Sequence, residues 1–261
     1  MSDVEVGATL ASRTPSGRDC LQWRSRGQMQ MHAADRKVVR IPIIDGDPIR
    51  QGGQWQNRLN RHGLYFWQTT GTHVWYESAL EASCLAVLDQ SGDVQRICAQ
   101  PFRLLFRTES EQVWHDPDFF AIHYNGDQVV YDVKPSARMN HRTQVQFNET
   151  ARVCEAVGWR HVVLNEPAPV LSLNLKFLAS SRHLRCHPPA EIVERIHDVF
   201  VGGRTVQEGR EMINRRFPAL AMPFIRHLLW HRTLITDLTA RLDFDSILTT
   251  ASASEEKSCC T

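Results

Sequence analysis

Two short apolar runs near the middle of the chain, Phe119-Phe120-Ala121-Ile122 and Val129-Val130-Tyr131, are separated by Asn125-Gly126-Asp127. Apolar runs of this length around a turn signal predict a β-hairpin. Upstream, Val94 to Ile97 and Phe102 to Phe106 predict two further strands, divided at Gln100-Pro101. The pattern becomes helical in the flanking segments. From about Glu77 to Leu88 the residues Leu80, Cys84, Val87 and Leu88 fall on one arc. From about Thr143 to Val157 the stripe is Phe147, Ala151, Cys154 and Val157, and Gly158 stands where a helix stop is expected. His161 to Leu164 reads as one more strand. Strands, then a helix, then a strand predict an α/β core built on a mixed sheet.

Residues 1–38 are polar and patternless and read as a flexible arm; residues 39–75 read as loops and short strands leading into a core, through Gly52-Gly53 and His62 to Trp67. Composition shifts at Pro167-Ala168-Pro169 and at Pro188-Pro189, after which the pattern is helical. Ile192, Ile196 and Val199 share one side of a helix ending near Gly202-Gly203. Thr205-Val206-Gln207-Glu208 is a capping box opening another, Leu220 to Trp230 forms a third, and Asp237 to Leu242 suggests a small hairpin. Three helices with strand-like residues suit a winged-helix module. The expected division is an arm (1–38), an α/β domain (39–170), a helical winged-helix-like domain for partner or DNA binding (171–248) and a disordered tail (249–261).

The 261 residues are 42% hydrophobic, enough for a sizeable core. No apolar run reaches about 18 residues and the first residues carry no apolar signal segment, so a cytoplasmic protein without a membrane span is expected. Seven cysteines without regular spacing read as reduced thiols rather than a disulfide framework. A net charge of +1 does not advertise a large basic face. Arg13, Arg18, Arg24, Arg26, Arg36, Lys37 and Arg40 cluster near the N-terminus, and Arg138, His141 and Arg142 cluster later. Both groups read as solvated surface, with phosphate contact as the alternative.

Candidate chemistry gathers at the end of the second hairpin strand. Side chains alternate along a strand, so Asp132 and Lys134 share a side. Pairing in the hairpin brings Asp118 toward Asp132. Glu77 and Glu81 both fall within the apolar arc of their helix; Glu77 lies in the first turn, where an acid suits the helix dipole, while Glu81 is one turn deeper, as a structural salt bridge or a functional acid. Asp116 competes with Asp118. Carboxylates and a lysine at one sheet edge fit a divalent-metal site with a cationic helper.

The order Glu81, Pro117-Asp118 and Asp132-Val133-Lys134 resembles the PD-(D/E)xK nuclease superfamily. The surrounding text is similar to TnsA-type transposon endonucleases: Gly71-Thr72-His73-Val74-Trp75-Tyr76-Glu77-Ser78-Ala79-Leu80-Glu81, then Gln100-Pro101, then His115-Asp116-Pro117-Asp118-Phe119, then Asp132-Val133-Lys134-Pro135. The likeness spans about residues 60–165 and extends more loosely to His227 through Asp237-Leu238. Some members carry glutamine where this chain has Asp132.

The resemblance implies a restriction-endonuclease-like catalytic domain in the endonuclease subunit of a heteromeric transposase. Such a subunit cuts double-stranded DNA at the 5′ ends of a transposon, on the strand not transferred. An RNase H-like transposase subunit cuts and joins the other strand, and an ATPase regulator engages the C-terminal part. It further implies Mg²⁺, with Mn²⁺ as a substitute, held by Glu81, Asp118, Asp132 and the Val133 carbonyl, with Lys134 orienting the attacking water or neutralising charge on phosphorus. Gln100 either supports this site or caps the strand backbone. Two rivals stand beside this reading: a stand-alone restriction or repair nuclease of the same superfamily, and a non-catalytic DNA-binding adaptor with an inert core. His183, Cys186 and His187 lack a fourth zinc ligand and read as no metal site. The tryptophans, Trp55 among them, follow no stacking repeat, and no Walker-type loop is present.

Overall fold

The computed structural model describes residues 19–50, 62–107 and 112–251. The expectations placed on residues 1–18, on Gly52-Gly53 and Trp55, and on residues 252–261 lie outside the described residues.

The chain opens with a hairpin, β1 (Cys20–Ser25) and β2 (Gln28–Ala33), turned at Arg26-Gly27, both of which have positive φ. Residues 19–38 are therefore not part of an arm. Cys20, Leu21, Gln22 and Trp23 are all buried, so β1 shows none of the alternation by which a half-exposed strand is recognised. Two strands follow as a separate antiparallel pair, β3 (Gly63–Trp67) and β4 (Thr72–Tyr76). Helix α1 (Ala79–Ser91) begins after Ser78, whose hydroxyl accepts from the Glu81 N–H, and ends at Gly92 in the left-handed region.

Next come β5 (Val94–Ala99), β6 (Arg103–Arg107) and β7 (Gln112–His115). The expected hairpin is present as β8 (Phe119–His123) and β9 (Gln128–Val133). Helix α2 (His141–Val157), capped by Asn140 and stopped at Gly158, crosses over to β10 (Arg160–Leu164), which runs parallel to β9. The strands form two four-stranded sheets, β2-β1-β6-β7 and the mixed β10-β9-β8-β5.

The two faces of the mixed sheet support two cores. Phe120 and Val130 pack with Val153, Cys154, Val157 and Trp159 of the α2 region and with Leu21, Leu104 and Phe106 of the first sheet. Phe119, Ala121, Val129 and Tyr131 pack on the opposite side with Leu85 and Leu88 of α1 and with Tyr65, Trp67 and Val74. β9 is thus covered on both faces, which explains its unbroken apolar run. Each fully buried large side chain contributes roughly 1.5–3 kcal/mol.

A third core holds the C-terminal part: α3 (Pro169–Ala179), α4 (Ala190–Phe200), β11 (Arg204–Thr205), α5 (Val206–Ile213), α6 (Met222–Trp230), β12 (Leu234–Ile235) and β13 (Ile247–Thr250). The Thr205–Glu208 capping box is formed as the sequence indicates. The short strands pair in the order β11-β13-β12. Asp237 to Leu242 is not a hairpin; it belongs to the loop joining β12 to β13, and Thr249 and Thr250 are strand rather than tail. Ala86 and Val87 of α1 pack against this core, so α1 is apolar toward two neighbours. Among the described residues no helix is long and apolar enough to cross a membrane.

Helices α4 and α5 approach closely at Gly209, where an added Cβ would overlap the Phe200 ring. Gly209→Ala is expected to destabilise the chain by about 1–3 kcal/mol through overpacking, read as a lower urea midpoint with an unchanged slope.

Candidate active site

The acids meet where three strands of the mixed sheet run out. The register pairs Ala99 with Phe119 and Phe119 with Tyr131. One step further, Gln100, Asp118 and Asp132 form a cross-strand row. The Gln100 N–H donates to the Asp118 carbonyl at 2.8 Å. β8 starts only after Pro117, and the Asp118 carboxylate replaces the missing ladder acceptor: its Oδ2 accepts from the Val133 N–H at 2.7 Å. Within a strand the N–H and C=O of one residue project to the same edge, so the Val133 carbonyl is directed toward Asp118 as well.

Burial raises the Asp118 carboxyl to about 7, and the charges of Asp132 and then Glu81 push in the same direction. The Val133 N–H and His115 oppose them. Cys84, one turn beyond Glu81, senses the same crowding: burial first, then Glu81, Asp118 and Glu166, hold its thiol up at about 12. Glu81, Asp118 and Asp132 therefore occupy one electrostatic neighbourhood.

Glu81 is the acid of α1 that reaches this neighbourhood. It also completes the helix cap, accepting from the Glu77 N–H at 2.7 Å and the Ser78 hydroxyl at 2.8 Å. Burial raises its pKa, and those two hydrogen bonds oppose the rise. Glu77 instead faces Arg50 at 3.5 Å. Asp116 is held in a two-point pair with Arg103, at 2.6 and 2.8 Å, which removes it as a rival to Asp118.

Asp132 is buried on the α2 side. His115 Nε2 lies 2.9 and 2.8 Å from its two oxygens, and His161 Nε2 lies 2.8 Å from Oδ2. Gln146 Nε2 is 2.9 Å from His115 Nδ1, so a donating amide leaves the Nε2 proton to face Asp132. Burial alone would raise the Asp132 pKa, but the hydrogen bonds and charges of His115 and His161 outweigh it and hold the carboxyl below the usual carboxylate range. Both rings rest against Phe147 of α2.

Lys134 continues the line of β9, its N–H donating to the Leu164 carbonyl at 2.9 Å. Its ammonium makes no hydrogen bond or ion pair among the described residues. The structure thus joins Asp118 to the Val133 N–H, sets it opposite Asp132 in the strand row and within range of the charges of Asp132 and Glu81, commits the Asp132 oxygens to the two histidines, and leaves the Lys134 side chain outside these hydrogen bonds. Among the described residues no three His, Cys, Asp or Glu side chains stand with their donor atoms arranged to hold one metal ion. His115 and His161 are the partners that sequence reasoning missed. His161 faces Val130 in the parallel register, one diagonal step from Asp132, a relation visible only once β9 and β10 are paired. The C-terminal His187 meets His227 at 3.3 Å, while His183 packs on Phe66, so the expected small cluster is divided. The chain matches no protein-family model and no curated protein.

Proposed function

We propose that this protein is a divalent-cation-dependent DNA endonuclease of the TnsA type, the subunit of a heteromeric transposase that hydrolyses the non-transferred strand at the 5′ ends of a transposon. The observation that carries the reading is the Asp118 carboxylate at the end of β8, hydrogen-bonded to the Val133 N–H at 2.7 Å and opposite Asp132 in the strand row, with burial and then the charges of Asp132 and Glu81 raising its pKa. Crowded buried carboxylates at a strand end are costly without a cation and suited to one. The order α1, β5, β8, β9, α2, β10, with acids on the helix and at the ends of two adjacent strands, supports a restriction-endonuclease-like core.

The donor set fits Mg²⁺ or Mn²⁺ chemically, being carboxylate and carbonyl oxygen throughout. Glu81, Asp118, Asp132 and the Val133 carbonyl would hold the ion, which when bound lowers the pKa of a coordinated water and screens the phosphodiester. The residues do the rest. The Val133 N–H fixes the orientation of Asp118, Ser78 and the Glu77 N–H fix Glu81, and the two histidines fix Asp132. Lys134, without a protein partner for its ammonium among the described residues, is free to orient water or meet charge on phosphorus.

The helix-strand-helix-helix-strand-strand order from α4 to β13 supports a winged-helix-like unit. Its third helix, α6, has no exposed residue, so we assign this unit to partner contact rather than to reading a DNA groove with α6. Exposed Leu173, Phe177, Phe217 and Leu220 suit docking of an ATPase regulator or the RNase H-like subunit, in the cytoplasm. A non-catalytic adaptor is the second reading, favoured by one observation: both Asp132 oxygens are already engaged by histidine.

Nicking of supercoiled plasmid in Mn²⁺, with partner subunits supplied, separates the two. The parent chain is expected to nick, and Lys134→Ala to lose roughly a hundredfold or more in rate, the scale of removing one transition-state-stabilising group. Equal nicking by both chains would remove Lys134 from the site. A parent chain that binds no divalent cation and cuts nothing would leave the adaptor.

A further inference from the structure

Gln100 is conformationally misplaced in a way its neighbours are not. Its φ is +49°, in the left-handed region that favours glycine. Two other non-glycine residues share that feature among the described residues: Arg26 in the first hairpin turn and Arg232 just past α6. Gln100 alone of the three is buried, at 3% exposure. Its backbone is clamped from both sides, by the Ile49 N–H on its carbonyl and by the Asp118 carbonyl on its N–H, each at 2.8 Å. The side-chain Oε1 is buried and has no hydrogen-bond partner among the described residues. Backbone strain and an orphaned buried acceptor each cost stability, and glycine here would remove both. Native chains keep such features where a ligand or water completes them.

The register places Gln100 beside the candidate acids. It stands opposite Asp118, which stands opposite Asp132, in one row across three strands. Mg²⁺ and Mn²⁺ sites keep several bound waters, each with two hydrogens to place. Carboxylates take some of these hydrogens; a neutral amide oxygen takes another without adding to the crowded charge.

We propose that Gln100 is a positioning residue of the cation site, its amide oxygen accepting from a water bound to the ion beside Asp118. The proposal rests on the nuclease reading above, so its test must fail separately from that reading. Calorimetric titration with Mn²⁺ on the full chain, paired with thermal melting in EDTA, does this. Gln100→Gly is expected to melt at or above the parent temperature in EDTA, strain and orphan both being relieved, and to bind Mn²⁺ roughly tenfold or more weakly, the usual scale for an outer partner of a metal site. A merely structural Gln100 would give the reverse, lower melting with unchanged Mn²⁺ affinity, and would overturn the proposal. Unchanged affinity in a stable variant would overturn it equally. Should Gln100→Gly lose both stability and affinity, Gln100→Asn decides: it tolerates the left-handed backbone but shortens the reach. Weakened binding in a parent-like melt supports the role, and parent affinity removes it. A parent chain that takes up no Mn²⁺ at all would sink the nuclease reading as well.

Discussion

Asp118→Asn is expected to melt several degrees above the parent chain at pH 8 and to have lost DNA cleavage. The two effects share one cause. In the folded chain burial and the charges of Asp132 and Glu81 hold the Asp118 carboxyl at about 7, against an ordinary value of 3.8. An acid whose folded pKa is raised binds its proton more tightly in the native state. Its contribution to stability is therefore full below the unfolded value, declines as pH rises from about 4 to about 7, and becomes a constant penalty above. A displacement of that size corresponds to a penalty on the order of 4 kcal/mol at pH 8. The asparagine amide carries no charge to bury, and its oxygen still accepts from the Val133 N–H, so the variant keeps the hydrogen bond and loses the repulsion. The parent chain should lose melting temperature across that pH window and the variant much less, a difference that differential scanning calorimetry at a series of pH values resolves. Mn²⁺ should narrow the gap at pH 8 by stabilising the parent alone. Identical pH profiles for the two chains would show that Asp118 is not held in a crowded, buried site. Retained cleavage by the variant would remove it from the chemistry.

What the sequence disclosed follows the range of the interactions involved. The β8–β9 hairpin is announced by Asn125-Gly126-Asp127, the stop of α2 by Gly158 and the start of α5 by Thr205 and Glu208, all of them local signals. Asp118 and Asp132 come together because the hairpin register sets them together, which is again local. β1 escaped notice because it is buried on both faces and pairs with β6, far along the chain. Glu81 carried two messages in one spacing. Ser78 and Glu81 stand three residues apart as in a capping box, and they do cap α1, yet the same carboxylate lies close enough to Asp118 to raise its pKa. Nothing in the sequence near Asp132 announced its two histidines, since His161 reaches it through a parallel pairing that needs the α2 crossover, and His115 arrives from the neighbouring sheet.

Those histidines support the second large effect. Replacing His115 and His161 together by leucine is expected to destabilise the chain by about 3–5 kcal/mol at neutral pH, the usual cost of leaving a buried charge without its partners. Asp132 is 2% exposed, and the two imidazoles supply the hydrogen bonds that keep its carboxyl below the ordinary range. A carboxylate with a depressed folded pKa adds stability above its unfolded value, and that stability is lost as pH falls through the folded one. Without the imidazoles burial takes over and the sign reverses: the carboxyl rises above its ordinary range, and the double variant should gain relative stability as the solution is acidified from neutrality. Leucine also fills much of the imidazole volume against Phe147, so lost packing is a minor part of the effect. Adding Asp132→Asn to the double variant separates charge from packing, because the amide has no charge to strand; it should recover more than half of the lost stability in urea denaturation. A triple variant no more stable than the double would mean that the histidines act through their packing on α2, and that Asp132 does not depend on them for its charge.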